Sequence, residues 1–438
     1  VLIERDESLA RSVSERLDCL VLNDEGNSLD VLKKAQIEKA DFFIAVSQSD
    51  EVNMITCGLV SSEYPGVKTI ARVRNIDYSY TRIVRRGFLG IDLLVNPEIE
   101  AANAAVRSIQ HGATSDIMLF DQPNVQMRSL PVGAGSLFVD RPLSEVASSL
   151  DLHFLVAVIM REKNYIIPSG DTRVREGDLL YIVAEESSFD QLFDRVGRSR
   201  APIRKIVILG GGKVGAHIAR RLLERKGQSV VQRLSKLFGQ KELRSVKIVD
   251  RNPVACKALN RDFPNATIIN ADIAQEGLFE DEQIGNADLV VAATDNEELN
   301  IVSGIYAKSL GVRRSVVLIN KKSYITMASN MSIDVPISVK ASVVGSILKF
   351  IRKGNVRSVH SISDGRVEVI EFSVGEGSRS LGKSIRDAKI PPGSLIVSAM
   401  RDGKTIIPDG SYRFLKGDHA IVLARNDAIQ RVQELFGQ

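Results

Sequence analysis

The chain alternates two hydrophobic patterns: short continuous apolar runs, and longer stretches with an apolar residue at every third or fourth position. The run 206–209 leads into Gly210-x-Gly212-x-x-Gly215, after which apolar residues recur at helical spacing. Later apolar runs, at 266–270 and 289–293, are also followed by helical spacing. Because strands that alternate with helices form parallel βαβ units, these residues predict a doubly wound parallel sheet.

The chain also repeats itself. Segments 39–53 and 286–300 both read Ala-Asp, five apolar residues, Ser or Thr, and then an acidic pair and Asn. Segments 164–178 and 403–418 both contain Ile-Ile-Pro-x-Gly, followed at identical spacing by Gly-Asp. The order of units is therefore A-B-A′-B′, as expected of a duplicated architecture.

Units B and B′ are built differently from A and A′. They have short β-type runs, Gly-Asp turns and a final helix, which predicts a small α+β domain. The expected fold class is thus α/β, with two doubly wound Rossmann-like domains, each followed by a small α+β domain. The predicted domains are 1–115, 126–198, 203–355 with an insertion at 226–245, and 360–438.

Unit A lacks the first strand and the glycine loop of unit A′. Its residues 1–6 resemble 247–252, an apolar run that ends in an acid followed by Arg, so the chain opens on a second strand. We expect this sequence to be an N-terminally incomplete version of a longer protein. The alternative is a degenerate first half that has lost its loop.

Two amphipathic helices, at 98–110 and 340–352, are predicted to join each Rossmann-like unit to the small domain that follows it. They are interpreted either as crossover or dimerisation helices, or as plain helices that cap their own sheet.

Composition narrows the possible functions. Lys and Arg number 58 against 54 Asp and Glu, a net charge of +4 that gives no basis for nucleic-acid binding. The three cysteines are far apart, which argues against a disulfide framework or a zinc site and fits a reducing cytoplasm. The apolar runs are of strand length, too short to span a membrane.

The loop Gly210-x-Gly212-x-x-Gly215 is the strongest chemical signal. Its glycines allow a tight turn and a close approach of backbone to pyrophosphate, at the N-terminus of a helix. Asp250, after the next strand, is placed to accept hydrogen bonds from ribose and to reject a 2′-phosphate, which favours NAD(H), ATP or ADP over NADP. Alternatively, the turn is kept for packing and the crevice is empty. The candidate cofactor residues of this half are Gly210, Gly212, Lys213, Val214, Gly215, Asp250, Arg251, Asp272 and Thr294.

Asp272 follows the third strand, where it is interpreted either as a contact to an adenine edge or as a helix N-cap.

In unit A, Arg72 lies at the end of an apolar run, in Ile70-Ala-Arg72-Val-Arg74. Alignment of the two units places Leu318 at the same point of unit A′. A cation at a strand end can reach phosphate oxygens, so the two halves should not bind one nucleotide equally; a surface salt bridge is the alternative. The candidate cofactor residues of the first half are Glu4, Arg5, Glu25, Ser47 and Arg72.

No catalytic residues and no metal ligands are predicted. The five histidines are scattered, and no Cys/His/Asp set or metal-binding spacing is present. The small α+β domains are too short for a substrate domain of a dehydrogenase. The chain is therefore not expected to be an enzyme, and a tandem Rossmann oxidoreductase remains the alternative.

With these motifs together, the sequence resembles the TrkA family, the cytoplasmic regulatory subunits of bacterial Trk/Ktr potassium uptake, over essentially its whole length. The motifs are the glycine loop with Asp250, the paired acid-and-Asn segments, Ile70-Ala-Arg72-Val-Arg74 with Asp77-Tyr78, and the two Pro-x-Gly…Gly-Asp blocks. Three features depart from the family. The first glycine loop is absent, and the insertion is not typical. Asn23-Asp24-Glu25 replaces the usual Gly-Asp after the third strand, and Asn270-Ala-Asp272 also lacks that Gly.

The resemblance implies tandem RCK (regulator of potassium conductance) N- and C-domains that bind NAD(H) and ATP or ADP. It implies a tetrameric ring on the inner face of the cell membrane, beneath a TrkH- or KtrB-like potassium channel subunit. The further alternative is a regulatory subunit of another potassium transporter or antiporter.

Overall fold

The structure is a computed structural model of all 438 residues. It describes every residue except 76–77, 79–87, 111–116, 121–124, 151, 153, 163, 196–202, 224–244, 352–355, 363–365 and 438. The predicted insertion 226–245 therefore lies outside the described residues, apart from Ser245, which opens a strand.

The described strands and helices follow the predicted alternation. The strands are β1 (Leu2–Glu4), β2 (Val21–Asn23), β3 (Phe42–Ala45), β4 (Lys68–Arg72), β5 (Leu93–Val95), β6 (Ile117–Leu119), β7 (Val125–Pro131), β8 (Phe154–Arg161), β9 (Asn164–Ile166), β10 (Leu179–Glu185), β11 (Lys205–Leu209), β12 (Ser245–Asp250), β13 (Thr267–Asn270), β14 (Leu289–Ala292), β15 (Arg314–Ile319), β16 (Val335–Ser338), β17 (Val356–Ile362), β18 (Val367–Ser373), β19 (Ser394–Arg401), β20 (Lys404–Ile406) and β21 (His419–Arg425). The helices are α1 (Glu7–Ser14), α2 (Leu29–Lys34), α3 (Asp50–Glu63), α4 (Pro97–Gln110), α5 (Leu143–Leu150), α6 (Glu186–Arg195), α7 (Lys213–Leu223), α8 (Pro253–Asp262), α9 (Leu278–Asp281), α10 (Glu297–Ser309), α11 (Lys322–Asn330), α12 (Val339–Ile351) and α13 (Ile429–Phe436).

The chain divides into two compact units. The first comprises residues 1–100 and 342–351, and the second comprises 101–341 and 352–438. The division falls inside helices α4 and α12, so each of these helices belongs partly to one unit and partly to the other.

The second unit contains the complete Rossmann-like sheet. Its six strands are all parallel, in the order β13-β12-β11-β14-β15-β16. Strand β14 is buried at every residue and β11 at every residue after Lys205, as is typical of a parallel sheet covered by helices on both faces. Asn252 and Asn296 cap α8 and α10 with their side-chain oxygens, which fixes where those helices begin.

The first unit has the same strands without a central one. Strands β1 and β2 pair in parallel, and β3, β4 and β5 form a separate parallel sheet. In the second unit β11 pairs on one side with β12 and on the other with β14, the counterparts of β1 and β3. No described strand joins β1 to β3.

Two antiparallel sheets make up the small α+β domains, with the matching orders β6-β7-β10-β8-β9 and β17-β18-β21-β19-β20. The sheets pack against each other within the second unit. Their shared apolar core joins Met127 and Val183 of the first small domain to Val369 and Leu423 of the second.

The long helices each contribute residues to both units. In the second unit, one face of α4 is buried in the core of the Rossmann-like sheet, through Ala101, Ala102, Ala105, Val106 and Ile109. In the first unit, Phe350 of α12 packs edge-on against Phe42, with ring centroids 6.2 Å apart. Ser346 Oγ donates a hydrogen bond of 2.7 Å to Glu100 Oε2. Of the two interpretations open from the sequence, this favours crossover helices over plain caps.

Candidate functional site

The glycine loop lies between β11 and α7, and each of its three motif glycines has a different environment. A Cβ on Gly215 would lie 1.9 Å from the Gly210 carbonyl oxygen, so only glycine allows α7 to pack this closely against the strand. Gly210 has φ +103°, which side chains rarely adopt, and its Cβ would lie 2.7 Å from the Ala293 oxygen. A Cβ on Gly212 would meet nothing within 4 Å. The loop therefore has one open side, at Gly212, where a ligand can approach the backbone.

Asp250 ends β12 beside this loop. Its Oδ2 accepts a 2.7 Å hydrogen bond from the Gly211 N–H, and its Oδ1 accepts one of 2.7 Å from the Asn252 N–H. The carboxylate is thereby fixed at the edge of the loop, where the sequence predicted a ribose contact. Lys213 and Arg251 are exposed on either side, and Val214 is half-buried.

Thr294 follows β14 and is held by Asn300 of α10. The Asn300 Oδ1 accepts hydrogen bonds from the Thr294 N–H at 2.9 Å and from its Oγ1 at 2.6 Å. The Asn300 Nδ2 donates to the carbonyls of Thr294 and Leu318, at 3.0 and 3.2 Å. One buried amide therefore ties together the carboxyl ends of β14 and β15 and the first turn of α10.

Asp272 follows β13 at the same edge of the sheet. Its Oδ1 accepts a 2.9 Å hydrogen bond from the Ala274 N–H and so closes a turn rather than capping a helix. The glycine loop, Asp250, Asp272 and Thr294 all lie at the carboxyl ends of neighbouring parallel strands, the edge where ligands bind in such folds.

The first unit repeats the amide clamp. Asn53 Oδ1 accepts from the Ser47 N–H at 2.8 Å and from its Oγ at 2.7 Å, while Asn53 Nδ2 donates to the carbonyls of Ser47 and Arg72. Since Asn300 contacts Leu318 in the same way, Arg72 and Leu318 occupy equivalent positions.

Arg72 lies at the end of β4, half-buried. Its Nη2 donates to the Ser47 carbonyl at 2.7 Å, while its Nε is buried without a hydrogen-bond partner in the described structure. Burial, followed by the nearby charge of Arg74, lowers the pKa of the Arg72 guanidinium below its usual value. The side chain is thus held by a backbone carbonyl, which differs from the surface salt bridge considered from the sequence.

The first acid of the acidic pair in each repeat binds the backbone just after a neighbouring strand. Asp50 accepts hydrogen bonds from the Arg74 and Asn75 N–H groups at 2.7–2.9 Å. Its counterpart Glu297 accepts from the Asn320 and Lys321 N–H groups at 2.8 and 2.9 Å. These acids therefore shape the strand ends.

The remaining candidates of the first unit lie near β1 and β2. Glu4 Oε1 accepts a 3.0 Å hydrogen bond from the Asp6 N–H, as Asp250 does from Asn252, so Glu4 corresponds to Asp250. Arg5 and Glu25 are exposed.

Asn53 and Asn300 end the repeated segments of the sequence, but the repeat by itself indicates no role for them. Each is only 1 % exposed and connects two strand ends. The signal available in the sequence was the identical spacing of six residues from Ser47 and Thr294.

Two family models match most of the chain. A model of the TrkA-N domain matches residues 1–97 and 223–339, and a model of the TrkA-C domain matches 127–197 and 369–437. The chain belongs to the TrkA family. The resemblance and the fold class read from the sequence are thereby confirmed.

Relatives within the TrkA family align along nearly the whole chain. The Trk system potassium uptake protein TrkA homolog 1 of Methanosarcina mazei is 28 % identical over 442 residues, covering 100 % of this chain and 94 % of its own. The Trk system potassium uptake protein TrkA of Azorhizobium caulinodans is 27 % identical, covering 97 % and 90 %, and that of Halomonas elongata is 28 % identical, covering 99 % and 93 %.

Solved structures share the fold. The GsuK channel bound to NAD superposes with a TM-score of 0.53 at 18 % identity, over 99 % of this chain and 74 % of that one. The GsuK RCK domain gives 0.53 at 17 % identity, over 99 % and 89 %.

The described residues contain neither a candidate membrane span nor a candidate metal site. Within them, no helix is both long and apolar enough to cross a membrane. Nor do three or more His, Cys, Asp or Glu side chains group there as metal ligands would.

Proposed function

We propose that this chain is a nucleotide-sensing, non-enzymatic regulatory subunit of a potassium uptake system. The observation that carries the proposal is the glycine loop of the second unit, whose open side at Gly212 lies beside the fixed carboxylate of Asp250. The names of the TrkA relatives support the link to potassium uptake, and the NAD-bound GsuK channel, which shares this fold, supports a nucleotide ligand.

The second crevice is proposed to bind NAD(H). The first turn of α7 has backbone N–H groups without acceptors inside the helix, and these suit a pyrophosphate at the loop. Asp250 accepts ribose hydroxyls there, and its charge disfavours a 2′-phosphate. Thr294 and Asp272 border the same edge.

The first crevice is proposed to take ATP or ADP, with Glu4, Ser47 and Arg72 at its edge. Arg72 adds a cation where the second half has the apolar Leu318, and a guanidinium binds phosphate oxygens with two hydrogen bonds. Its buried Nε has no partner in the described structure and offers a donor at this edge.

Regulation then follows from binding rather than from chemistry. A ligand shifts a two-state assembly only by its differential affinity for the two states. We propose a tetrameric ring of this chain on the cytoplasmic face of the membrane, contacting a TrkH- or KtrB-like subunit and changing its gating when ATP replaces ADP.

The first test is Gly212→Val. Its side chain would project into the open side of the loop, so NAD(H) affinity measured by calorimetry should fall by at least about 2 kcal/mol while the fold is kept. Gly135→Val is the matched control, because a Cβ at Gly135 also meets nothing within 4 Å but lies in a turn of the first small domain. Equal NAD(H) affinity in wild type and a folded Gly212→Val protein would place the nucleotide elsewhere.

The second test separates regulation from catalysis. Cells that lack their own subunit are complemented with this chain and assayed for potassium uptake, and the purified protein is incubated with NADH and candidate substrates. Restored uptake with nucleotide binding and no turnover is expected. Turnover of NADH, with uptake unchanged, would instead favour the oxidoreductase alternative.

A further inference from the structure

A second concave site lies in the second small domain, far in sequence from the glycine loop and from Arg72. The cavity has a volume of about 250 Å³ and is bounded by the turn after β18, the segment before β19, and helix α13. Three basic side chains from these three places line it: Arg379, Lys389 and Arg431.

The charge of this cavity is positive. Its single lining carboxylate, Glu434, lies 3.8 Å from Arg379 (Nη1 to Oε2), so it offsets at most one of the three cations. All three cations are exposed to solvent, so an anion from solution can reach them, and a cluster of like charges raises the local concentration of such anions.

The segment before β19 contributes two prolines and a lysine to the cavity. Pro391 and Pro392 form one side, and proline has a fixed φ. Lys389 has φ +51°, a left-handed conformation that favours glycine or asparagine. A lysine kept at a strained position, with its side chain on the cavity, is consistent with use of its charge.

A buried serine follows Arg379 in the chain. Ser380 is fully buried, and its Oγ has no hydrogen-bond partner among the described residues. Its backbone N–H donates to the carbonyl of Leu435, a residue that lines the cavity, at 3.0 Å.

The first small domain serves as an internal comparison. The turns after β7 and β18 are equivalent, since Ser136 and Ser378 make the same N–H bond to the glycine three residues earlier, and Leu137 therefore corresponds to Arg379. Counting six residues from the ends of β10 and β21 pairs Gln191 with Arg431. The first small domain therefore has the same fold with leucine and glutamine at these two places, so the fold requires neither arginine.

From the cavity, its three cations and this asymmetry, we infer that the second small domain binds a small phosphate-bearing anion between Arg379, Lys389 and Arg431. Two guanidinium groups match the geometry of phosphate oxygens, and the lysine supplies a third charge. The volume is below the roughly 300–1,000 Å³ of typical pockets for larger ligands, which favours a phosphate or pyrophosphate group over a dinucleotide. The inference is independent of the proposed function.

The test uses the full chain and pyrophosphate as probe, with binding measured by isothermal titration calorimetry at constant ionic strength. Arg379→Leu with Arg431→Gln installs the side chains of the first small domain and should weaken pyrophosphate binding at this site about tenfold or more. Lys383→Gln with Lys404→Gln is the matched control. These substitutions remove the same charge from two exposed lysines of the same domain that do not line the cavity.

The proposal is overturned if the wild-type chain does not bind millimolar pyrophosphate, if the arginine variant binds as wild type does, or if the lysine control loses as much affinity. Vesicles containing phosphatidylglycerol form a second arm. Wild-type binding to vesicles without binding to pyrophosphate would assign the site to a lipid surface and would also overturn it. If the double variant does not fold, the single Arg431→Gln variant is measured in its place.

Discussion

The sharpest prediction concerns Asp418, the acid of the second Gly-Asp block. Its carboxylate is 1 % exposed and accepts two hydrogen bonds from Arg401, at 2.8 and 2.7 Å. Tyr412 Oη and the Leu415 N–H donate to it as well, at 2.9 and 2.8 Å. We predict that Asp418→Asn destabilises the second small domain, because it leaves a cation without its buried counter-charge.

The magnitude follows from these contacts. Removing one partner of a buried ion pair costs about 3–5 kcal/mol, and the low end, about 3 kcal/mol, applies because the Arg401 side chain is 32 % exposed. In a domain of this size such a loss lowers the midpoint of thermal unfolding by more than about 10 °C. Asp178, the counterpart, is bound by Arg161 and the Arg175 N–H, and within the described part of the chain no tyrosine hydroxyl donates to it. Asp178→Asn should therefore cost about 1 kcal/mol less.

The effect depends on pH. Burial raises the pKa of the Asp418 carboxyl, but the hydrogen bonds from Arg401, Leu415 and Tyr412 outweigh burial and bring the pKa below its usual value. A group whose pKa is lower when folded stabilises above the unfolded pKa, near 4, and that stability is lost as the pH falls through the folded pKa. The difference between wild type and Asp418→Asn should be largest at pH 7 and should shrink towards pH 3.

Differential scanning calorimetry at pH 7 and pH 3 measures both quantities. Asp409→Asn is the control, because it removes an exposed carboxylate from the same domain. The expected lowering of the unfolding midpoint at pH 7 is more than about 10 °C. A midpoint of Asp418→Asn within about 2 °C of wild type would refute the reasoning. So would a difference in midpoint between the two proteins that stays constant from pH 7 to pH 3.

Two further predictions concern the nucleotide crevices. Arg72→Leu, which copies Leu318 of the second half, should reduce discrimination between ATP and ADP by about tenfold or more, because a charge-assisted bond of about 1.5–3 kcal/mol is lost. The affinity for NAD(H) should be unchanged. If calorimetry shows that the variant still distinguishes ATP from ADP as wild type does, Arg72 is not the sensor. Asn300→Leu should lower the unfolding free energy by about 2–4 kcal/mol, since it leaves the Thr294 N–H and hydroxyl and the Leu318 carbonyl without their buried partner. If the Asn300→Leu protein unfolds at the same urea concentration as wild type, Asn300 does not stabilise these strand ends.

The sequence alone was enough for the fold class of the chain. The repeat of Ala-Asp, apolar run, acidic pair and Asn predicted two related parallel sheets, and the glycine spacing predicted the turn into α7. These features depend on residues close together in the chain, because strand and helix periodicity and the turn preferences of glycine are local properties. The equivalence of Arg72 and Leu318 was also readable, since it needs only an alignment of the two halves.

Tertiary structure decided which side chains meet. That Asp178 pairs with Arg161 and Asp418 with Arg401 depends on how the strands of each small domain lie in its sheet, which joins residues 17 positions apart. The roles of Asn53 and Asn300 likewise depend on strands 19 and 18 residues away. The packing of α4 and of α12, and the cavity between Arg379, Lys389 and Arg431, arise from contacts between distant segments. Such partners are selected by packing and by the burial of polar groups in the folded chain, and no local pattern records them.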